Sequence, residues 1–326
     1  MTDAFVQVRG LTRRFDVSKP WLNRVLQMEG RKLLTAVEEV NFDIQRGRTY
    51  ALVGESGSGK STIAKMLVGL IRPSAGKVLI DGVDLQNADE DSAKTLRQRI
   101  QMIFQDPYAS LNPRWRVRDI VGEPYAAFNE VDKPAIERKV DELLEKVGLG
   151  SKDALKYPHE FSGGQRQRIG IARALASDPE FIVCDEPTSA LDVSVQAQVL
   201  NLMRDLQRDL GLTYLFITHD LPVVRYMADQ VGVLYLGRLI ETAPRTALFS
   251  DPRHPYTQML LDSAPQLDGF DRVHETSGGE IPDPINRPSG CHFHPRCPSV
   301  TDQCRQQFPE ERHQGDRQYS CILTNN

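Results

Sequence analysis

Long apolar runs are missing from this chain of 326 residues. The stretches that come nearest, such as Val231 to Leu236 with Gly232 inside, fall far short of the roughly 20 residues a membrane-crossing helix needs. The opening residues carry charge at Asp3 and Arg9 and lack the apolar core of a secretory leader. These absences predict a cytoplasmic protein that meets a membrane only through partners. An excess of basic charge is missing too: 40 Lys and Arg stand against 44 Asp and Glu, a net charge of −4. Coating nucleic acid needs a basic face to replace phosphate counterions, so no nucleic-acid partner is expected. Cysteine is scarce, with five residues, four of them between positions 291 and 321. What is present, 40% hydrophobic and 26% charged residues, is the balance of an ordinary folded protein of one large domain plus an extension, or of two domains.

Strand and helix signals alternate through roughly the first 240 residues, which predicts an α/β fold. Thr49–Val53, Phe181–Cys184 and Thr213–Ile217 are short runs of β-formers, as expected of strands buried on both faces. Each ends in polar residues, at the carboxyl edge where open α/β sheets bind ligands. Ile136, Val140, Leu143, Leu144 and Val147 share one face of a helix predicted over Pro134 to Val147, with Gly148 at its end. Residues 107 to about 176 read as mostly helical, a subdomain inserted between two strands. Beyond 247 the composition changes. Ser277-Gly-Gly279 precedes Pro282, Pro284, Pro288, Pro295 and Pro298, a pattern against regular helix or strand. The expected division is therefore a domain over 1–247 and a loop-rich, cysteine-bearing extension over 248–326.

Gly54-Glu55-Ser56-Gly57-Ser58-Gly59-Lys60-Ser61 fits Gly-x4-Gly-Lys-Ser/Thr, directly after a buried strand and before a helical pattern that opens at Thr62. Such glycines let the backbone wrap a polyphosphate with its amide hydrogens pointing inward, and the helix adds its positive end. Lys60 would reach the β and γ phosphates, and Ser61 would ligate Mg²⁺. The plainer alternative, a glycine-rich surface turn, does not account for the strand and helix on either side. Phe181 to Glu186 is an apolar strand ending in two acids: Asp185 suits the Mg²⁺ shell, and Glu186 suits orienting or deprotonating the attacking water. Alone, this pair would read as a solvated strand end; the loop at Gly54 gives it a partner. Ser162-Gly163-Gly164-Gln165 opens a helix with Ile169, Ala172 and Ala176 on one face, a second helix end able to grip phosphate. With one loop already in place, the second grip points to a nucleotide held by another subunit.

In this order, and with Gln105 before Asp106-Pro107, Ser189-Ala-Leu-Asp192 and His219 after a strand, the chain resembles the ATP-binding subunits of ABC transporters. The resemblance implies a P-loop ATPase domain with an inserted helical subdomain, two of which close head to tail over two ATP molecules. It implies that Ser162 and Gly164, with Gly163 and Gln165 around them, contact the γ-phosphate on the opposite subunit. Gln105 would sense Mg²⁺ and water and relay to the membrane partner, His219 would hold the γ-phosphate, and Asp192 would cross the dimer interface. Phe15 is the candidate for stacking on adenine.

Gln105–Pro113, Tyr157–Ser162, Arg253–Gln258 and Pro288–Pro298 narrow the likeness to the ATP-binding subunits of dipeptide and oligopeptide importers. That branch also handles nickel and glutathione. It pairs two different ATP subunits beneath two membrane permeases, at the cytoplasmic face, with an extracytoplasmic binding protein delivering solute. A soluble ABC ATPase acting on DNA or ribosomes would need coiled coils, zinc modules or a second ATP domain, none of them visible. A regulator that binds ATP without hydrolysis is disfavoured by Glu186 and His219.

Cys291-x5-Cys297-x6-Cys304-x16-Cys321 supplies four thiols for an iron–sulfur cluster or a closed zinc site, or leaves them free. The spacing lacks a Cys-x2-Cys pair and matches neither standard ferredoxin run. The resemblance implies a structural 4Fe-4S cluster. His292 and His294 lie close enough in sequence to substitute as ligands, and Cys184 reads as a small core residue.

Overall fold

Two sheets face each other across the helix that follows the glycine-rich loop. The computed structural model describes residues 4–21, 24, 30–129, 131–263 and 279–323; Asp3, Ser277 and Gly278 lie outside the described residues. In chain order the elements are β1 (Ala4–Asp16), β2 (Leu33–Gln45), β3 (Thr49–Val53), α1 (Lys60–Leu67), β4 (Ala75–Ile80), β5 (Val83–Asp84), α2 (Glu90–Arg99) and β6 (Ile100–Ile103). Then come α3 (Pro107–Ser110), α4 (Val117–Phe128), α5 (Lys133–Lys146), α6 (Gly163–Leu175), β7 (Phe181–Asp185), α7 (Val193–Leu210), β8 (Thr213–Ile217), α8 (Leu221–Met227), β9 (Gln230–Tyr235) and β10 (Arg238–Pro244). The last are α9 (Arg245–Ser250), α10 (Pro255–Asp262), α11 (Asp302–Gln306), β11 (Arg312–Gln314) and β12 (Arg317–Tyr319).

The first sheet is antiparallel, in the order β2-β1-β4-β5. The second has the order β11-β12-β10-β9-β3-β8-β7-β6, and its strands β9, β3, β8, β7 and β6 run parallel. Parallel neighbours need crossovers, so helices cover the sheet and its central strands read as unbroken apolar runs. Helix α1 buries Ile63, Ala64, Met66 and Leu67 in one core with Val6 and Val8 of β1, Val40 of β2 and Leu52 of β3. That core fixes the start of α1, and therefore the loop before it. Helices α3 to α6 fill the interval between β6 and β7, as the helical pattern predicts. In α5 the expected face is buried at Val140, Leu143 and Leu144, and Asp132 caps its start through the Ala135 amide.

The expected division at 247 falls inside α9, and packing runs across it. Strand β12 pairs with β10, Glu241 opposite Tyr319, so the end of the chain extends the main sheet. The Glu241 carboxylate, buried in β10, accepts the amides of Arg253 and His254 at 2.8 Å each. That bond seats the start of α10, and His254 completes the turn by accepting the Tyr256 amide on Nδ1 at 3.0 Å.

Burial pushes His254 down to about 3, and His292 down to about 4 with help from nearby Arg287. An unfolded histidine titrates near ~6.5, so below that pH protons bind the unfolded chain first and stability is lost as pH falls toward the folded values. The melting temperature is expected to drop from about pH 7 to about pH 4.5, and His254→Asn, which keeps an acceptor for the Tyr256 amide, should flatten the slope. A slope identical in both proteins contradicts this account of His254.

Candidate active site

The loop between β3 and α1 is held by backbone contacts that admit no side chain at two positions. Gly54 has φ 154° and Gly59 φ 108°; a Cβ on them would lie 2.2 Å from the Leu234 carbonyl oxygen and 2.4 Å from that of Ala36. The Ser58 carbonyl accepts from the Gly237 amide at 2.8 Å, and the Gly237 carbonyl accepts from Glu38 at 2.8 Å. The loop is thereby pinned to the β9–β10 turn and to β2. Lys60 is only 6% exposed and turns back on the loop, donating to the carbonyls of Gly54 at 2.7 Å and Glu55 at 2.8 Å. Burial lowers its pKa, while Glu186, Asp185 and Glu55 pull it back up. Phosphate oxygens would replace two neutral carbonyls by charged acceptors, a stronger pairing.

Ser61, in the first turn of α1, donates to Asp185 Oδ1 at 3.0 Å at the end of β7. Asp185 is 6% exposed; burial raises its pKa and the Ser61 bond opposes that. A hydroxyl beside a desolvated carboxylate suits Mg²⁺, which binds one or two carboxylates, waters and substrate phosphates instead of a closed protein cage. Among the described residues no group of three or more His, Cys, Asp or Glu could hold a metal ion.

Glu186 is the meeting point of three parallel strand ends. It follows β7 with φ 47°, a left-handed conformation that costs a non-glycine residue about 1 kcal/mol. Its amide donates to the Ile217 carbonyl at 2.9 Å. Gln105, just past β6, donates to its Oε2 at 2.7 Å, and His219 Nδ1, just past β8, lies 3.0 Å from its Oε1. His219 keeps 63% of its side chain exposed, leaving Nε2 able to face a ligand. Gln105 thus meets Glu186, whereas the expectation places it in the Mg²⁺ shell.

Ser162–Gln165 stand apart from this cluster. Ser162 and Gln165 bond reciprocally, at 3.0 and 3.3 Å, and cap α6. Gly164 is buried, and a Cβ on it would come within 2.3 Å of Val195 Cγ1, so the residue also permits α6 to pack on α7. Asp192 caps α7 through the Val195 amide at 2.9 Å, and next to it Val193 is 83% exposed. The serine-led helix end and the start of α7 are neighbours, with Gly163 against Leu191 and both Ser162 and Asp192 exposed. Phe15 pairs with Leu34 across the β1–β2 ladder, near Ala36 and the loop, and the Arg13 guanidinium covers one side of its ring at 4.5 Å.

Residues after 247 reach the loop as well, a contact no spacing rule foretold. Tyr256 and Arg296 both hold Glu55, and Arg287 pairs with Glu38 at 2.5 Å beside the turn that pins Ser58. Their motifs stand in the sequence as likeness only, because a bond between positions 241 residues apart has no periodic signature.

No disulfide joins the cysteines. Cys291, Cys297, Cys304 and Cys321 are neighbours: burial pushes Cys291 up to about 11, with the other three thiols adding to the rise, and its amide donates to the Cys304 carbonyl at 2.8 Å. Among the described residues they do not gather as a metal-holding group, which supports neither zinc, whose thiolates close to about 2.3 Å, nor the expected 4Fe-4S cluster. His294 Nδ1 lies 2.9 Å from the Cys291 carbonyl, and the His292 ring packs on Phe308. Neither histidine joins the thiols as a ligand set. Cys184 is fully buried and burial raises its pKa, as befits a core residue.

Two family models match the chain: ABC transporter over residues 37–189, and Oligopeptide/dipeptide transporter, C-terminal region, over residues 240–304. A putative peptide import ATP-binding protein of Brucella abortus is 52% identical over 296 residues, 90% of this chain and 88% of that protein. The dipeptide transport ATP-binding protein of Escherichia coli is 45% identical over 313 residues, 96% and 94% of the two chains. Among solved structures, a dimeric ATP-binding cassette in a post-hydrolysis state with ADP and Pi is similar at TM-score 0.64 and 28% identity, covering 74% of this chain and 98% of the other.

Proposed function

We propose, on the premise that this chain belongs to the ATP-binding proteins of ABC transporters, that it hydrolyses MgATP to drive import of dipeptides and oligopeptides. The observation that carries the ATPase reading is the convergence of Gln105 and His219 on Glu186, beside Lys60 and the Ser61–Asp185 pair. Lys60 and the loop amides bind the β and γ phosphates; Ser61 and Asp185 are the protein donors for Mg²⁺, which neutralises phosphate charge when bound. Glu186 takes the proton of the attacking water, with Gln105 and His219 fixing the direction of its carboxylate. The relatives' names and the match over residues 240–304 support peptide cargo.

The exposed face of Ser162, Asp192 and Val193 fits a second ATP-binding subunit, whose nucleotide it would complete. No helix among the described residues is long and apolar enough to cross a membrane. On the likeness to transporter ATP-binding proteins, two permease subunits carry the path and this chain sits at their cytoplasmic face. An extracytoplasmic binding protein supplies solute. We read the four neighbouring tail thiols as ligands of a 4Fe-4S cluster, a broader group than a single ion, held by sets of four cysteine thiolates. The cluster would be structural, fixing a loop-rich tail.

Anaerobic purification of the whole transporter and its reconstitution in vesicles tests both parts. Peptide-loaded binding protein should stimulate hydrolysis, and the chain should carry iron and acid-labile sulfide in equal amounts. Stimulation by nickel or glutathione in place of peptide overturns the cargo; an iron-free tail in an active transporter overturns the cluster.

A further inference from the structure

Glu55 is gripped on three sides. Its carboxylate receives Arg296 in two prongs, Nη1 to Oε2 at 2.7 Å and Nη2 to Oε1 at 2.8 Å, from a side chain that is 6% exposed. Its amide donates to the Tyr256 hydroxyl at 2.9 Å. Its carbonyl accepts from Lys60 at 2.8 Å. Two of these grips come from the extension and the third from the lysine assigned to phosphate.

The anchors are themselves fixed. Tyr256 is fully buried, with ring centroids 4.6 Å from Tyr235 and 5.4 Å from Phe293, and it stands in the first turn of α10, whose entry Glu241 holds. Arg296 directly precedes Cys297 and follows the same buried Phe293. The Glu55 amide is engaged by Tyr256, and its carbonyl also accepts from the Ser58 amide at 3.2 Å, so this peptide unit is tied on both sides. A loop ordered in advance loses less entropy on binding than one that must be ordered by its ligand.

We propose that Arg296 and Tyr256 are positioning residues for the phosphate loop: by fixing the Glu55 peptide unit, whose carbonyl Lys60 must leave as phosphate arrives, the C-terminal extension sets the affinity for nucleotide. The proposal rests on the reading of residues 54–61 as the ATP loop. Neither residue touches Glu186, so affinity moves and the chemical step does not.

The test uses the full chain with its partner subunits, MgATP binding by equilibrium titration, and steady-state hydrolysis. Arg296→Met should raise Kd and KM for MgATP about tenfold with kcat within about twofold, since a charge-assisted pair is lost away from the reacting atoms. Arg296→Lys, a single-point donor, should fall between wild type and Arg296→Met, and Tyr256→Phe should raise KM about threefold. The pair Glu55→Gln with Arg296→Met should be no worse than the weaker single variant, because both remove one interaction. Wild-type KM in folded Arg296→Met overturns the proposal, as does a loss confined to kcat. Should Arg296→Met fail to fold, wild-type KM in both Tyr256→Phe and Glu55→Gln overturns it equally. An unsubstituted chain that binds no MgATP refutes the nucleotide reading itself, and this inference with it; wild-type binding left intact in the variants refutes the inference alone.

Discussion

Glu186→Gln is expected to slow ATP hydrolysis about a thousandfold, within the range attributed to a positioned general base, while Kd for MgATP stays within about threefold. The amide has the size of the carboxylate and can occupy the same place between Gln105 and His219. What it lacks is basicity: it cannot take a proton from water. Nucleotide therefore binds and stays, and the subunit pair should accumulate closed, visible as a doubled mass by light scattering in the presence of MgATP. Turnover at the wild-type rate would show that another group deprotonates water, and Glu186 would be reduced to holding its two neighbours. The left-handed backbone at φ 47° makes a further point. A strained conformation kept by a residue with a side-chain task is commonest at functional sites, and Glu186→Gly should relieve the strain while abolishing hydrolysis.

Lys60→Ala acts one step earlier. It is expected to raise Kd for MgATP about a hundredfold, the loss of roughly 3 kcal/mol from charge-assisted bonds to phosphate. The same change takes from the Gly54 carbonyl its bond to the ammonium and leaves the Glu55 carbonyl with the Ser58 amide alone. Loop order should suffer along with affinity, so both kcat and KM respond, whereas Glu186→Gln moves kcat alone. Retention of wild-type affinity in Lys60→Ala would remove the lysine from the phosphate site. Comparing the two variants separates binding from chemistry within one loop-and-strand unit.

Much of this centre was legible because its parts obey local rules. A buried strand followed by glycines and a lysine is a short-range pattern, and so are an apolar strand ending in Asp185-Glu186 and a serine with glutamine three places on. Parallel neighbours align their carboxyl edges, which brings Gln105, Glu186 and His219 together, but the order β8-β7-β6 is not written in the runs, and Gln105 and His219 stand out only through the family likeness. The extension was less legible. Its prolines and cysteines announce a change of composition at about 247, yet Glu241 holds the 253–256 turn, Arg296 reaches Glu55, and β12 joins β10. Such long-range bonds depend on which surfaces meet after folding, and neither periodicity nor propensity encodes them. Gly164 is a related case: its likeness to a phosphate-binding glycine conceals a steric duty toward Val195 that only the packing of α6 on α7 reveals.

The hairpin of β11 and β12 extends the main sheet beyond β10, from residues about 70 positions later in the chain. During synthesis β10 leaves the ribosome well before its partner, and at about 5–20 residues per second the delay amounts to about 4–15 seconds. For that interval the nascent sheet carries an open seam able to pair with a stranger. Efficient production of this subunit thus depends on shielding of β10 until residues 317–319 arrive to pair with it, and a chain arrested between the two strands would present a sticky edge.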